Sequence, residues 1–174
     1  MIMNNVTAKP QLSFGEAIKL ASGRVTDFKG RSRRSEYWWF MLAFLIGYFI
    51  ISWLLGKILP PIVTSIITPP LWFAALAVTV RRLQDTGKSK WWVVVSWISM
   101  LAYSLYFNLS GISEQMMAVN TDPQSVMKAL FNPVLMVLGL VYTVTSLVTI
   151  IFCLLDGRPE SNKYGESPKY IINE

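Results

Sequence analysis

Residues 134–155 read VLMVLGLVYTVTSLVTIIFCLL, a run of 22 residues without one charged side chain. At about 1.5 Å per residue, a helix of this length crosses the roughly 30 Å hydrocarbon core of a bilayer. Three further apolar runs precede it, at residues 37–59, 62–80 and 91–107. The sequence therefore predicts an all-α integral membrane protein, a four-helix bundle with four spans.

Composition supports this class and excludes others. Of the 174 residues, 53% are hydrophobic and only 15% are charged, whereas soluble domains carry about 25% charged residues. The net charge of +6 does not predict a nucleic-acid partner, because the basic residues flank apolar spans, where they control topology. The chain has no His, so it lacks the commonest general base and metal ligand. We therefore predict no catalytic, cofactor-binding or metal-binding residues.

The distribution of basic residues predicts the orientation. Seven Lys and Arg lie in residues 1–36, four in 81–90 and three in 156–174, which leaves only Lys57 and Lys128 in the other two loops. Four crossings put both chain ends on one side, and the positive-inside rule makes that side cytoplasmic. Aromatic residues at the starts of the first and third spans are expected to anchor this interface: Trp38, Trp39, Trp91 and Trp92.

Three segments follow from this topology. Residues 1–36 form a cytoplasmic arm, residues 37–155 the membrane domain and residues 156–174 a cytoplasmic tail. Within the arm, Ser13 and Glu16 have the spacing of a capping box, which predicts a short amphipathic helix. This helix lies either on the membrane surface or against the protein's own inner face.

The second span contains Pro69 and Pro70. Proline lacks a backbone donor, so the pair predicts a kink and leaves helix carbonyls without their usual partner. Nearby hydroxyls are expected to satisfy those carbonyls, and the candidates are Thr64, Ser65 and Thr68.

Charged residues concentrate at the predicted cytoplasmic face. Arg81 and Asp85 are four residues apart on one helical face and are expected to pair. An arginine fork matches either carboxylate or phosphate, so two interpretations stay open: a structural salt-bridge network that ties arm, turn and tail together, or a site for an anionic lipid headgroup. The predicted cluster comprises Arg33, Arg34, Glu36, Arg81, Arg82 and Asp85, with Tyr164 docking from the tail.

Small polar residues also recur inside the spans at helical spacing. One stripe lies in the third span and one in the fourth: Ser96, Ser99 and Tyr103, then Tyr142, Thr145, Ser146 and Thr149. Such stripes serve either as a weakly polar transport path or as close helix–helix contact. The lack of an ionisable residue in mid-membrane favours contact.

Three motifs resemble those of one family. Residues 28–40 (FKGRSRRSEYWWF), 81–92 (RRLQDTGKSKWW) and 162–168 (NKYGESP) are similar to the three signatures of the domain-of-unknown-function family 805. Gln84 stands where that family usually has His, and Lys90 where it usually has Gly. The resemblance implies a small four-span protein of the bacterial cytoplasmic (inner) membrane, and it implies no activity.

These observations favour a non-enzymatic scaffold or lipid-contacting protein, with anionic lipid headgroups as partners and self-association into a homo-oligomer compatible with the sequence. The first alternative is a small oligomeric channel or transporter, suggested by the hydroxyl stripes and the double proline. The second and weaker one is a membrane enzyme that acts on lipids through Asp85 and the arginines.

Overall fold

The computed structural model describes residues 5–117 and 123–173. Its elements, in chain order, are β1 (Asn5–Ala8), α1 (Phe14–Ser22), α2 (Arg34–Ile58), α3 (Pro61–Leu71), α4 (Phe73–Asp85), α5 (Trp91–Leu109), α6 (Ile112–Met117), α7 (Pro123–Leu130), α8 (Pro133–Leu154) and β2 (Tyr170–Asn173). Four stretches are long and apolar enough to cross a membrane: Arg34–Ile58, Ile62–Asp85, Trp91–Leu109 and Pro133–Leu154. The predicted class, a helical protein with four spans, is confirmed.

Two helices extend beyond the apolar runs at their charged ends. Helix α2 begins at Arg34, and α4 continues to Asp85, because backbone hydrogen bonding does not stop where hydropathy falls. The charged motifs therefore sit on helical turns with fixed spacing. These motifs lie at the end of the bundle that also carries residues 5–8 and 170–173, and we call this end the terminal face.

The predicted N-terminal helix is α1, and its capping box is present. The Ser13 Oγ accepts from the Glu16 N–H at 3.4 Å, and the Glu16 carboxylate accepts from the Ser13 N–H at 2.8 Å. Ala17 and Ala21 are fully buried, and the helix packs along α2. Of the two predicted placements, the structure shows contact with the protein itself.

The double proline divides the second span into α3 and α4, which meet at Trp72. Pro69 leaves the carbonyl of Ser65 without its helical donor, and the Ser104 hydroxyl of α5 donates to that carbonyl at 3.0 Å. The prediction that hydroxyls of α3 would do this is wrong. Thr64 and Thr68 donate to carbonyls one turn earlier. The Ser65 Oγ lies 2.6 Å from Asn108 Oδ1 of α5 and 2.8 Å from the carbonyl of Ile62.

The hydroxyl stripes lie where α5 meets α8, the most extensive helix contact in the described chain. Ser96, Ser99, Thr145 and Thr149 are buried there. The hydroxyls of Thr145 and Thr149 donate to carbonyls one turn earlier in α8, at 2.7 and 2.8 Å. Small side chains with internally satisfied hydroxyls allow two helices to approach closely.

A two-stranded antiparallel sheet joins the two ends of the described chain. Strand β1 pairs with β2 in the register Asn5↔Asn173 to Ala8↔Tyr170, and the Lys9 N–H extends the pairing to the carbonyl of Lys169 at 2.7 Å. The sequence analysis did not predict these strands. Their pairing places both described ends at the terminal face.

Candidate functional site

The end of α4 positions the charged residues of the terminal face. The Lys88 N–H donates to the carbonyl of Leu83 at 2.8 Å, and the Gly87 N–H donates to that of Gln84 at 3.2 Å. This is the Schellman arrangement, which requires a residue with positive φ after the helix, and Gly87 has φ 72°. The helix therefore ends at Asp85, and its last turn lies at the terminal face.

Asp85 binds two arginines. One carboxylate oxygen accepts from Arg31 Nε at 2.9 Å, and the other accepts from Arg82 Nη1. All three side chains have at most 1% of their surface exposed. The predicted pair of Arg81 with Asp85 is wrong. Asp85 pairs instead with Arg82, three residues earlier on α4, and with Arg31, in the loop before α2.

Arg81 instead points towards the start of α2. Its Nη2 lies 3.3 Å from a Glu36 carboxylate oxygen, its Nε donates to Ser32 Oγ at 3.0 Å, and its Nη1 donates to the carbonyl of Arg24 at 2.6 Å. The Ser32 hydroxyl in turn donates to Glu36 at 2.8 Å. Arg81 is completely buried, so these contacts replace its hydration.

Arg82 links this cluster to the end of α8. Its Nε donates to the carbonyl of Cys153 at 3.2 Å, and its Nη2 donates to that of Leu155. The carbonyl end of a helix carries partial negative charge. It therefore stabilises the positive charge left over when three arginines meet two carboxylates. We call Arg31, Glu36, Arg81, Arg82 and Asp85 the ionic network.

The tail docks on this network through its backbone. Arg31 donates to the carbonyl of Glu160 at 2.8 Å, and the Arg158 N–H donates to the carbonyl of Asp85 at 3.2 Å. Gly157 lies against the Asp85 carboxylate so closely that a Cβ would overlap it.

Contrary to the sequence prediction, Tyr164 is not the residue by which the tail docks on the network. Its backbone N–H donates to Asn162 Oδ1 at 2.8 Å, and its ring lies beneath Lys163, with the ammonium 5.1 Å from the ring centroid. The docking side chain is Asn162, whose Nδ2 donates to the carbonyl of Gln84 at 3.0 Å. The described contacts thus place Tyr164 beside the ionic network rather than in it.

Arg31 is the network residue that the predicted cluster omitted. It precedes α2 by three residues, and its role was not readable from spacing because Asp85 lies 54 positions away. The arginine-rich run before the first span was the one sequence feature that indicated a role for Arg31.

Gln84, at the family's His position, donates from Nε2 to the carbonyl of Phe28 at 3.0 Å.

Arg33 and Arg34 lie outside the ionic network and border a separate pocket. Arg33 donates to the carbonyls of Pro10 and Lys9 at 2.7 and 3.3 Å, and Arg34 is exposed. The pocket has a volume of about 460 Å³, and no acidic residue is among the described residues that line it. We call it the cationic pocket, lined by Ala8, Lys9, Gln11, Arg33, Arg34, Ser35, Trp38, Trp39 and Lys169.

A second cavity, of about 440 Å³, lies within the bundle between α2, α4, α5 and α8. Most of its wall is apolar, with hydroxyls from each helix. We call it the bundle cavity. Its lining includes Trp38 and Leu42 of α2, Ala75 of α4, Ser96 of α5 and Thr149 of α8.

Two carboxylates of the loops have shifted pKa values. The backbone N–H of Lys29 and the guanidinium of Arg24 lower the pKa of Asp27. Partial burial raises the pKa of Asp156, but hydrogen bonds from Lys169 and Tyr170 outweigh it and hold that pKa below its usual value. Both groups are therefore ionised at neutral pH and hold the arm and the tail in place.

Comparison with known proteins agrees with the architecture. The chain is 36% identical to the inner membrane protein YhaH of Escherichia coli K12 over 97 residues, which cover 48% of this chain and 79% of that protein. It is 25% identical to the inner membrane protein YhaI of the same strain over 149 residues, which cover 84% of this chain and 89% of that protein. No solved structure matches.

These relatives and the four apolar helices support a multi-pass protein of the inner membrane. The model of the family described as protein of unknown function (DUF805) matches residues 25–166. This range contains the entire ionic network and five of the nine residues that line the cationic pocket. The chain belongs to the DUF805 family.

Proposed function

We propose that this protein is a non-enzymatic, lipid-contacting membrane protein that binds anionic phospholipid headgroups in the cationic pocket, on the cytoplasmic side. The observation that carries the proposal is one open pocket lined by four basic residues and two tryptophans. Arg33 is buried against backbone carbonyls and Lys169 pairs with Asp156. The exposed residues Lys9 and Arg34 are therefore the ones that we expect to contact the headgroup. Basic residues at the cytoplasmic leaflet attract anionic lipid, and tryptophan favours the level of the headgroups.

The ionic network supports a structural role for the other arginines. Arg81 and Arg82 are fully buried, and their donors are engaged by carboxylates and carbonyls. Both oxygens of Asp85 accept from guanidinium groups, an arrangement that suits a fixed ion pair better than a general base. The network therefore serves as the scaffold that holds the arm, α2 and the tail in register.

The hydroxyl stripes support helix contact over a transport path. Their buried members lie where α5 meets α8, although Ser96 and Thr149 also line the bundle cavity. The hydroxyls of Thr145 and Thr149 are satisfied within their own helix. This favours the scaffold hypothesis over the channel hypothesis.

The test is a comparison of phosphatidylglycerol and phosphatidylcholine binding to the purified full-length protein, by native mass spectrometry after delipidation. Each basic residue near the membrane surface contributes about 1 kcal/mol to anionic lipid binding, or roughly fivefold in affinity. We expect Arg34→Gln combined with Lys9→Gln to reduce the preference for phosphatidylglycerol by more than tenfold. The matched control is Lys57→Gln, an exposed cation at the opposite end of α2.

The control is expected to bind as the wild-type protein does. Equal binding of the two lipids by the wild-type protein would disprove the proposal. So would an equal loss of preference in the Lys57→Gln control, because the effect would then come from net charge and not from this pocket.

A further inference from the structure

The bundle cavity has a closed back and an open side. Its back is formed by buried residues of α4 and α5, among them Ala75, Leu76 and Val93. Its open side lies between α2 and α8, where the lining residues Leu42 and Ile150 are each 45% exposed. Because these helices cross the membrane, the opening faces lipid and not water.

The cavity adjoins the cationic pocket, since Trp38 lines both. On α2, Arg34, Trp38 and Leu42 follow at intervals of four residues, which places them on one face of the helix. Arg34 belongs to the cationic pocket and Leu42 to the bundle cavity. One face of α2 therefore leads from a charged site to an apolar one.

We propose that the two spaces form one binding site for a single anionic phospholipid, with the headgroup phosphate in the cationic pocket and one acyl chain in the bundle cavity. This inference rests on the proposed function and extends it from headgroup contact to binding of a whole lipid molecule. The occupant follows from the complementarity of its two ends. The exposed cations Lys9 and Arg34 favour an anion, and the membrane-facing cleft favours an apolar chain.

The dimensions fit this occupant. A volume of about 440 Å³ falls within the roughly 300–1,000 Å³ of ligand sites in proteins.

The cationic pocket and the bundle cavity contribute differently to the free energy of lipid binding. A lipid tail is already in an apolar medium, so its move from the bilayer into the cavity gains little hydrophobic free energy. The charge contacts therefore set the affinity, and the cavity sets which part of the membrane the chain occupies. This predicts that the headgroup directs the chain into the cavity.

The experiment uses full-length protein in phosphatidylcholine vesicles that contain a few per cent of a phosphatidylglycerol with a photoactivatable diazirine in one acyl chain. After illumination, the labelled peptides are mapped by mass spectrometry. We expect several-fold enrichment of label on cavity residues, including Met41 and Met100, over the exposed apolar residues elsewhere on the spans. A phosphatidylcholine probe with the same diazirine is expected to show no such enrichment.

Two variants narrow the mouth of the cavity without touching the cationic pocket. Ser146→Trp acts from α8 and Leu42→Trp from α2, both at lining residues. The matched controls are Leu147→Trp and Leu54→Trp, exposed on the same helices and outside the lining. The two cavity variants are expected to lose the label on Met100 several-fold and to keep the preference for phosphatidylglycerol in the native mass spectrometry assay. The controls are expected to keep both.

The outcomes separate this inference from the proposed function. Label spread evenly over all membrane-facing helices, with the phosphatidylglycerol preference intact, would overturn the inference and leave headgroup binding standing. Equal enrichment from both probes would show a chain site independent of the headgroup and would also overturn it. A wild-type protein without any lipid preference would remove the proposed function itself.

Discussion

Two adjacent arginines on α4 bind different partners because they point in different directions from the helix. Arg81 binds Glu36 near the start of α2, whereas Arg82 binds Asp85 and the end of α8. Consecutive helical residues point about 100° apart, since one turn takes 3.6 residues. A single Arg-Arg pair therefore connects α4 to two different helices, and neither arginine can replace the other.

Asp85→Asn is expected to destabilise the protein strongly. The substitution keeps the shape of the side chain but leaves Arg31 and Arg82 buried without their carboxylate, and breaking a buried pair in this way costs about 3–5 kcal/mol. Thermal unfolding in detergent should show a lower midpoint, and folded yield should fall. Glu160→Gln, at an exposed carboxylate of the tail, serves as the control. An unchanged midpoint for Asp85→Asn would contradict the structural role of the network.

Gly157→Ala is expected to disturb the same network from the tail side. The added methyl group would overlap the Asp85 carboxylate, and overpacking of a buried contact costs about 1–3 kcal/mol. Gly47→Ala, on α2, has open space around the new methyl group and should leave the unfolding midpoint unchanged. Equal midpoints for the two variants would mean that the tail is not docked as described.

The sequence predicted most members of the network but not their pairing. Charge and position on the chain indicated that Glu36, Arg81, Arg82 and Asp85 would meet. The partner of each residue depends on the angle between helices and on the path of the loop before α2, which places Arg31 against Asp85. Spacing rules describe neighbours within one helix, so a contact across 54 positions lies outside what they can specify.

At the scale of elements, a hydrogen bond that the double proline removes from α3 is replaced by one from α5. The carbonyl of Ser65 loses its donor at Pro69 and accepts from Ser104 of α5 at 3.0 Å. In a membrane, such a group has no water to bind. The contact therefore couples the kink in the second span to the position of the third.

A double-mutant cycle can measure that coupling. Ser104→Ala should cost about 0.6 kcal/mol, and at most about 1.7 kcal/mol, the range found for hydrogen bonds between membrane helices. In a Pro69→Ala background the new backbone N–H can donate to the Ser65 carbonyl, so the same Ser104→Ala change should cost almost nothing. Unfolding in mixed detergent is the measurement. Equal costs in both backgrounds would show that the hydroxyl does not serve the freed carbonyl.

Hydrophobicity predicted the spans because each is a long run of one property, and the capping box predicted the start of α1. Neither pattern could predict the hydrogen bond from Ser104 to the carbonyl of Ser65, because the direction of the kink decides which neighbouring helix comes close. The strands β1 and β2 were also missed. Each has only four residues, and neither is stable without the other, so local pattern gives little signal.

For the whole molecule, we expect both chain ends to face the cytoplasm. The structure places both described ends together through the β1–β2 pair, and the basic residues predict that this end stays inside. Reporter fusions at either end should be active only if the reporter functions in the cytoplasm. A fusion after Phe131, in the loop before α8, should show the opposite behaviour. Activity of an exported reporter at either terminus would refute this orientation.

The pairing of β1 with β2 also has a consequence for biogenesis. Lys9 directly follows the first strand and Lys169 directly precedes the second, and both line the cationic pocket. All four membrane spans lie between these two residues on the chain. The ribosome therefore makes every span before β2 can pair with β1, and the cationic pocket is incomplete until the last span has been synthesised. A lipid that needs both lysines can be bound only after that point.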